Sequence, residues 1–188
     1  DEKSVYQLEN YNSFYQNTCK GKSKGAGVAL YVHQSLTAVV NDSASKITSN
    51  LESLFITVQG KSNPIHVGVV YRPPSGDVDK FSSEFKTVIE SLPTKFVHIL
   101  GDFNINLHNS NKMVHDFENL TLGRGLLPLI STSTHIKPNC NPSCIDNILS
   151  NDTINSVASG TLDLGISHHR AIFQLTNSLG DLGESSDK

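Results

Sequence analysis

The stretch that decides the fold runs from Phe96 to Asn106 and reads FVHILGDFNIN. Its apolar first half has the length of a buried strand, and Gly101 follows it directly. Asp102 and Asn104 lie two residues apart, so an extended backbone places both side chains on one face. Reacting groups in α/β sheets collect at the carboxyl ends of the strands. The stretch therefore predicts a buried strand that brings both polar residues to a functional edge, although glycine, aspartate and asparagine also form ordinary turns.

The composition indicates one globular domain and excludes a strongly cationic nucleic-acid binder. The chain has 188 residues, 37% of them hydrophobic, and a formal charge of -3. This length suffices to bury a sizeable core. Residues 1–176 are interpreted as a single domain with an irregular segment at 1–24, and residues 177–188 as a polar tail. Any DNA binding would need local basic patches, and the candidates are Lys20, Lys22, Lys24, His135 and Lys137.

Cysteine usage and hydropathy bear on the compartment. Three cysteines, an odd number, argue against a disulfide framework. Cys140 and Cys144 are close enough for a small loop disulfide, and unpaired thiols in a reducing compartment are equally open. No apolar run has the length of a membrane span, and the start carries no signal-peptide pattern. We expect a soluble protein with an intracellular location, nuclear or cytoplasmic.

The remaining pattern alternates strands with two helices. A helix is expected from an N-cap at Asp77 to about Leu92, and a second over residues 112–122. Residues 25–33 and 36–40 are expected to pair as a hairpin. Strands are also predicted at 52–58, 64–71, 96–100, 144–150, 154–159 and 170–176. Strand pairs with interspersed helices predict two mixed sheets covered by helices.

Four stretches in order carry a family resemblance: VVYRPPS at 69–75, HILGDFNINL at 98–107, TSTHI and CIDNILSN within 132–151, and GISHHRAIFQL at 165–175. With KGAGVALYV and ESLFITV, they resemble the endonuclease/exonuclease/phosphatase superfamily, most closely the endonuclease domain of LINE-type non-LTR retrotransposons. The resemblance implies an α/β fold, a four-layered α/β sandwich of two mixed β-sheets flanked by helices. It also implies Mg²⁺-dependent hydrolysis of a DNA phosphodiester that leaves a 3′ hydroxyl.

The resemblance assigns a role to each matching residue. Asp102 would orient or deprotonate the attacking water, and Asn104 would position it and bind the phosphate. Tyr71 would support the phosphate or the leaving group, and His169 would contact the scissile phosphate. Asp146 would join the metal or the hydrogen-bond network. The substrate-binding candidates are Thr134, Arg72, Lys22 and Lys24. These residue types suit the reaction, because the transition state gains negative charge and water must lose a proton.

Residue type alone leaves other interpretations open for several of these positions. Tyr71 at a strand end is often a packing aromatic, and Thr134 is a common β-former. Asp146 has an alternative interpretation as a turn or edge carboxylate. The neighbours His168 and His169 suggest zinc, but adjacent residues of a strand point to opposite faces, so joint ligation of one ion is not expected.

The sequence departs from the family pattern in two places. Ser167, His168 and His169 stand where the family has Ser-Asp-His, and the missing aspartate would orient the catalytic histidine. Before Gly25, nothing supplies the family's first strand with its Asn, or the Glu that is its principal metal ligand. About one βαβ unit is therefore expected to be lacking, which predicts an open sheet edge. A second chain or copy would fill that edge, or the chain is part of a longer protein, or the fold is rearranged.

These departures keep three hypotheses open. The first is a DNA-nicking endonuclease of the retrotransposon type whose catalysis is weakened. The second is a catalytically impaired nuclease-fold module with a structural or protein-interaction role, favoured by the altered motif and the acidic balance. The third is a phosphatase of small phosphorylated molecules. The survival of Asp102, Asn104, Tyr71, Thr134 and Asp146 argues for the first.

Overall fold

The computed structural model describes residues 7–17, 27–60 and 62–177, which form one large sheet, two small sheets and two helices. The helices are α1 (Val78–Glu90) and α2 (Lys112–Leu122). The strands are β1 (Tyr11–Asn17), β2 (Gly27–His33), β3 (Ala38–Val40), β4 (Lys46–Ile47), β5 (Glu52–Val58), β6 (Ile65–Tyr71), β7 (Val97–Asp102), β8 (Leu127–Pro128), β9 (Asp146–Ser150), β10 (Ser156–Leu162) and β11 (Ala171–Thr176).

The large sheet is organised around a single parallel pair. Its strands lie in the order β3-β5-β6-β7-β9-β8, and β4 also pairs with β5. Only β6 and β7 run parallel among these pairs; the others are antiparallel. A parallel pair needs a crossover connection, which α1 supplies. Residues 97–102 of the stretch FVHILGDFNIN thus form β7, a central strand of the sheet.

Both helices match the pattern read from the sequence. The Asp77 carboxylate caps α1 by accepting a hydrogen bond from Lys80 N at 2.9 Å, as predicted. The helix ends at Glu90, two residues before the expected end. Asn111 caps α2 in the same way through Val114 N at 3.1 Å, and α2 has the predicted bounds.

The two helices cover one face of the large sheet and bury an aromatic cluster there. Phe85 stacks on Phe117 with ring centroids 6.0 Å apart and meets Phe103 edge-on at 5.9 Å. All three rings are buried, and burying each one stabilises the fold by ~1.5–3 kcal/mol. This face therefore holds the principal core.

The opposite face of the large sheet is covered by the two small sheets. Val32 of β2 packs on Ile56 and Val58 of β5, while Ile172 of β11 packs against Ile148 of β9. Helices, large sheet and small sheets form successive layers, which confirms the predicted α/β sandwich. Within the described ranges, both helices lie on the same side of the large sheet.

The amino-terminal part of the chain corrects two expectations. Residues 11–17, predicted to be irregular, form β1 and pair with β2 from Tyr11 opposite His33 to Asn17 opposite Gly27. The predicted hairpin between residues 25–33 and 36–40 is wrong, because β3 pairs with β5 instead. The physical reason is that β2 and β3 belong to different layers, and the chain changes sheet in the turn between them.

Two smaller observations concern the cysteines and the membrane. Cys140 is exposed and Cys144 is buried, and no disulfide joins them. Cys19 lies outside the described residues. No helix in the described part of the chain is long and apolar enough to span a bilayer.

Candidate active site

Four polar side chains form a row across one end of the large sheet. Glu52 of β5 lies opposite Tyr71 of β6, Tyr71 opposite Asp102 of β7, and Asp102 opposite Asp146 of β9. Directly paired residues on neighbouring strands present their side chains on the same face. Register thus brings together residues that are up to 94 positions apart in the chain.

The turn after β7 is held in a defined shape. Asp102 Oδ1 accepts a hydrogen bond from Asn104 N at 2.9 Å, and Asn104 has a left-handed backbone with φ of 48°. Asn104 Nδ2 donates to Arg72 O at 2.8 Å. Gly101 is required before Asp102, because a Cβ there would lie 1.8 Å from Val70 O on the parallel strand. These backbone contacts fix the positions of Asp102 and Asn104, the two predicted catalytic residues of this turn.

Asp102 binds its proton more tightly than an ordinary aspartate does. Burial above all, together with the negative charge of Asp146, raises its pKa from the ordinary value to about 6. The hydrogen bond from Asn104 N and the charges of His169 and Arg72 act in the opposite direction. A carboxyl group with a pKa near the working pH is well placed to accept a proton and release it again.

Asp146, at the start of β9, orients His169, which lies just before β11. The two carboxylate oxygens of Asp146 lie 3.0 and 3.1 Å from His169 Nδ1. A carboxylate at Nδ1 fixes the tautomer and leaves Nε2 for a substrate. The expectation that His169 lacks an orienting carboxylate is therefore wrong. The altered motif does not remove that function, because Asp146 supplies it from 23 positions away in the chain.

Thr134 is buried and holds the carboxylate of Asp146 in place. Its hydroxyl donates to Asp146 Oδ2 at 2.7 Å and accepts hydrogen bonds from Ile145 N at 3.2 Å and Asp146 N at 3.0 Å. The residue is 0% exposed. The expectation that Thr134 touches the substrate is corrected, since its side chain is wholly used in fixing Asp146.

Arg72 has likewise a different position from the one expected. It is only 5% exposed, and it donates from Nε to Phe103 O and from Nη2 to Asn104 O, both at 2.7 Å. Nη1 donates to the carbonyls of Pro73 and Gly76. Its guanidinium therefore holds the turn that follows β7. The expectation of a substrate contact is corrected, because the hydrogen-bonding side chain is buried against backbone.

Tyr71 lies between two carboxylates in the row. Burial raises the pKa of its phenol, the charges of Asp102 and Glu52 raise it further, and Arg72 lowers it. Tyr71 therefore keeps its proton at neutral pH and can donate it in a hydrogen bond. Glu52 was missed by sequence reasoning. It is 2% exposed and accepts from Gly27 N at 2.9 Å, and a charged residue opening an apolar strand was the available signal.

His135 was named from the sequence as part of a candidate basic patch and not as a residue of the active site, where the structure places it. Its ring centroid lies 4.7 Å from that of His169 and 6.4 Å from that of His168. A β-bridge also joins the backbones of His135 and His169. The remaining predicted residues Lys20, Lys22 and Lys24 lie outside the described residues, so their contribution stays a prediction.

One cluster in the described residues has the composition of a metal site. Asp102, Asp146 and His169 each offer a ligand atom, and these atoms lie within 4.8 Å of one another. Mg²⁺ prefers oxygen and is commonly bound by one or two carboxylates together with substrate phosphate. Asp102 and Asp146 fit that donor set, whereas His169 Nδ1 is occupied by Asp146. The cluster includes His169 and not His168.

Comparison with known proteins gives the following matches. A sequence model of the family described as Endonuclease-reverse transcriptase matches residues 65–173, more than half of the chain. No curated protein matches significantly.

Among solved structures, the fold is similar to the endonuclease domain of TRAS1, a telomere-specific non-LTR retrotransposon. The TM-score is 0.74 at 14% identity, over 90% of this chain and 81% of that one. An endonuclease/exonuclease/phosphatase family protein from Leptotrichia buccalis gives 0.60 at 14% identity, over 92% and 74%. D. rerio TDP2, solved with a single-strand DNA product, gives 0.57 at 13% identity, over 92% and 78%. At these identities the likeness concerns the fold alone.

Proposed function

The chain belongs to the endonuclease-reverse transcriptase family, and from this premise we propose that its candidate active site hydrolyses phosphodiester bonds of DNA. The observation that carries the proposal is the cluster of Asp102, Asp146 and His169, in which one carboxylate orients the imidazole and another has a raised pKa. This combination suits a reaction that must remove a proton from water and stabilise charge on phosphate.

Asp102 is the proposed base. With a pKa of about 6 it is mostly ionised at neutral pH, yet basic enough to accept a proton from an attacking water. Asn104 lies beside it, and its Oδ1 has no hydrogen-bond partner among the described residues. We assign that oxygen to the same water, which would then be held by two side chains on one face of the turn.

His169 and Tyr71 are the proposed phosphate contacts. Asp146 holds His169 by Nδ1, so Nε2 is the nitrogen that can donate to a phosphate oxygen. Tyr71 keeps its phenolic proton and lies beside Asp102 in the row. A divalent cation bound by Asp102 and Asp146 would neutralise part of the charge that builds up on the phosphate. Thr134 and Arg72 act as positioning residues for Asp146 and for the turn after β7.

Nicking of supercoiled plasmid tests the proposal. We expect conversion to the open circle in Mg²⁺, none in EDTA, and a loss of at least 100-fold in Asp102→Ala, the scale expected for removing a general base. Asp116→Ala is the matched control, because this aspartate lies on α2 and its exposed carboxylate pairs with Lys112 of the same helix. A DNA polymerase should extend the nicks directly if they carry a 3′ hydroxyl.

Two outcomes would overturn the proposal. Nicking that persists in Asp102→Ala would show a different active site or a contaminant. The absence of metal-dependent nicking by the unaltered chain would favour the alternative, a nuclease fold that serves a structural or protein-interaction role.

A further inference from the structure

His135 shares a small antiparallel ladder with His169, the proposed phosphate contact. It lies in the middle of the ladder, with Ser143 directly opposite on one side and His169 directly opposite on the other. Directly paired residues present their side chains on the same face. The imidazoles of His135 and His169 accordingly lie against each other, with ring centroids 4.7 Å apart and ring planes tilted by 52°. The two rings therefore line the same small surface.

The backbone of His135 is held on both sides. His135 N donates to Ser143 O and Ser143 N donates to His135 O, both at 3.0 Å. On the side of His169, the hydrogen bonds come from the flanking residues, at 2.7 and 2.8 Å. An antiparallel pair bonded through its flanking residues is the type whose side chains approach each other most closely. The ladder thus positions His135 before a substrate binds, and little ordering is needed on binding.

The imidazole of His135 makes no hydrogen bond with the described part of the chain. A ring nitrogen is hydrogen-bonded in six of the eight histidines, and His135 and His168 are the other two. His135 is partly exposed, and neither of its ring nitrogens is among the buried unpaired atoms. Its backbone is fixed while its ring is unpaired and open to solvent, so its N–H is available to a ligand.

The two adjacent imidazoles match the shape of a phosphate group. Asp146 holds Nδ1 of His169, so the available donor of that ring is Nε2. A phosphodiester carries two non-bridging oxygens, and charge builds up on them when water attacks the phosphorus. Two hydrogen bonds of ordinary length can reach these oxygens from rings whose centroids are 4.7 Å apart. His135 is thereby placed to share the phosphate with His169.

We propose that His135 is a further catalytic residue, which donates a hydrogen bond from its imidazole to the phosphate group that His169 contacts. The inference rests on the proposed function and deepens it, because it adds a residue that neither the family motifs nor the metal cluster assigned. This bond strengthens as charge builds up on the phosphate, so its loss falls mainly on kcat. The alternative is a ring that only packs against His169, and a substitution that keeps a ring without a nitrogen separates the two.

His135→Phe is that substitution, because phenylalanine keeps a ring against His169 and has no N–H. With bis(4-nitrophenyl) phosphate and Mg²⁺, we expect kcat and kcat/KM to fall together by about 10- to 100-fold, the range for one hydrogen bond to a charged group. KM should be nearly unchanged. The melting temperature should stay within about 3 °C of that of the unaltered chain, because the ring packing is kept.

His168→Phe is the matched control. The ring of His168 also lacks a hydrogen bond, but this residue is exposed and its ring centroid lies 6.4 Å from that of His135. Among the described residues, none is bridged to His168 across the ladder. The same substitution there should leave kcat and KM unchanged.

Inorganic phosphate provides a second measurement that needs no catalysis. With Mg²⁺ present at constant pH, phosphate should shift the ring ¹⁵N resonances of both His135 and His169 with one Kd and leave those of His168 in place. The spectra of His135→Phe and His168→Phe assign these signals. In His135→Phe, the Kd read from His169 should rise about tenfold, because one hydrogen bond to the anion is lost.

The outcomes separate this inference from the proposed function. If His135→Phe hydrolyses the diester and binds phosphate as the unaltered chain does, His135 only packs on His169 and the inference is refuted, while the nuclease proposal stands. An equal loss in His168→Phe, or a phosphate shift confined to His169, refutes it too. If the unaltered chain cleaves neither plasmid nor diester but phosphate shifts both histidines, the hydrolytic function fails and the phosphate contact of His135 remains.

Discussion

Replacing Asp102 by Asn should make the protein more stable at neutral pH while it abolishes catalysis. Asn has nearly the same shape and its Oδ1 can still accept the hydrogen bond from Asn104 N. What the substitution removes is a carboxylate that burial and the charge of Asp146 make unfavourable in the folded state. A gain in stability on removing an active-site residue is therefore the expected sign.

The magnitude follows from the pKa. In the folded protein the pKa of Asp102 is raised from 3.8 to about 6, so the folded state binds the proton more tightly than the unfolded chain does. The resulting destabilisation is absent below pH 3.8, grows as pH rises between the two values, and is complete above about pH 6. A difference of two pKa units corresponds to roughly 3 kcal/mol at most. Because solvent still reaches this side chain, we expect about 1–2 kcal/mol.

Urea unfolding in EDTA at pH 8 and pH 4 measures this effect. At pH 8, Asp102→Asn should unfold at higher urea than the unaltered chain, with a melting temperature higher by roughly 3–6 °C. Near pH 4 most of the difference should vanish. Asp116→Asn, which changes an exposed aspartate on α2, is the control and should give no such gain. Equal stability at pH 8, or an equal gain at both pH values, would refute the electrostatic reasoning.

Three further substitutions or additions test the supporting structure. Arg72→Lys cannot reproduce the two 2.7 Å hydrogen bonds to Phe103 O and Asn104 O, so the free energy of unfolding should fall by about 2–4 kcal/mol. Arg124→Lys is the control, because the guanidinium of Arg124 bonds to one carbonyl. An equal loss of stability in the two variants would contradict this prediction. Thr134→Val removes one of the two hydrogen bonds to Asp146 Oδ2 and the acceptor of two backbone amides, and should lower the free energy of unfolding by about 2–3 kcal/mol. Thr134→Ser keeps the hydroxyl and should recover most of that stability, whereas equal losses in both variants would argue that only packing matters. Mg²⁺ at about 100 times its Kd should stabilise the unaltered chain by roughly 2.7 kcal/mol and Asp102→Ala much less, and equal stabilisation of both would place the ion elsewhere.

Much of the local structure was predictable because its causes lie within a few residues. The cap at Asp77, the amphipathic helices and the buried strand ending in Asp102 follow from hydrogen bonds and side-chain periodicity along one segment. Asp102 and Asn104 were expected on one face of an extended strand end. The strand stops at Asp102 and Asn104 has a left-handed backbone, so the hydrogen bond between them and not strand alternation fixes their arrangement. The family motifs also pointed to Tyr71, Asp146 and His169, which lie together in the structure.

The roles of the site residues were decided by contacts between distant segments. Nothing near Arg72 or Thr134 in the chain shows that their polar groups are buried against Phe103 O and Asp146. The carboxylate that orients His169 comes from β9, and so it could not be found in the altered motif itself.

The sequence by itself determined the two helices, the main strands of the large sheet and the residue types at its active edge, because caps and side-chain periodicity depend on neighbours along the chain. The tertiary structure alone decided that β2 pairs with β1, that Glu52 joins the row beside Tyr71, and that Asp146 bonds to His169. The physical reason is that strand edges are chemically alike. Which edge pairs with which, and in what register, is selected by burying the whole apolar surface at once.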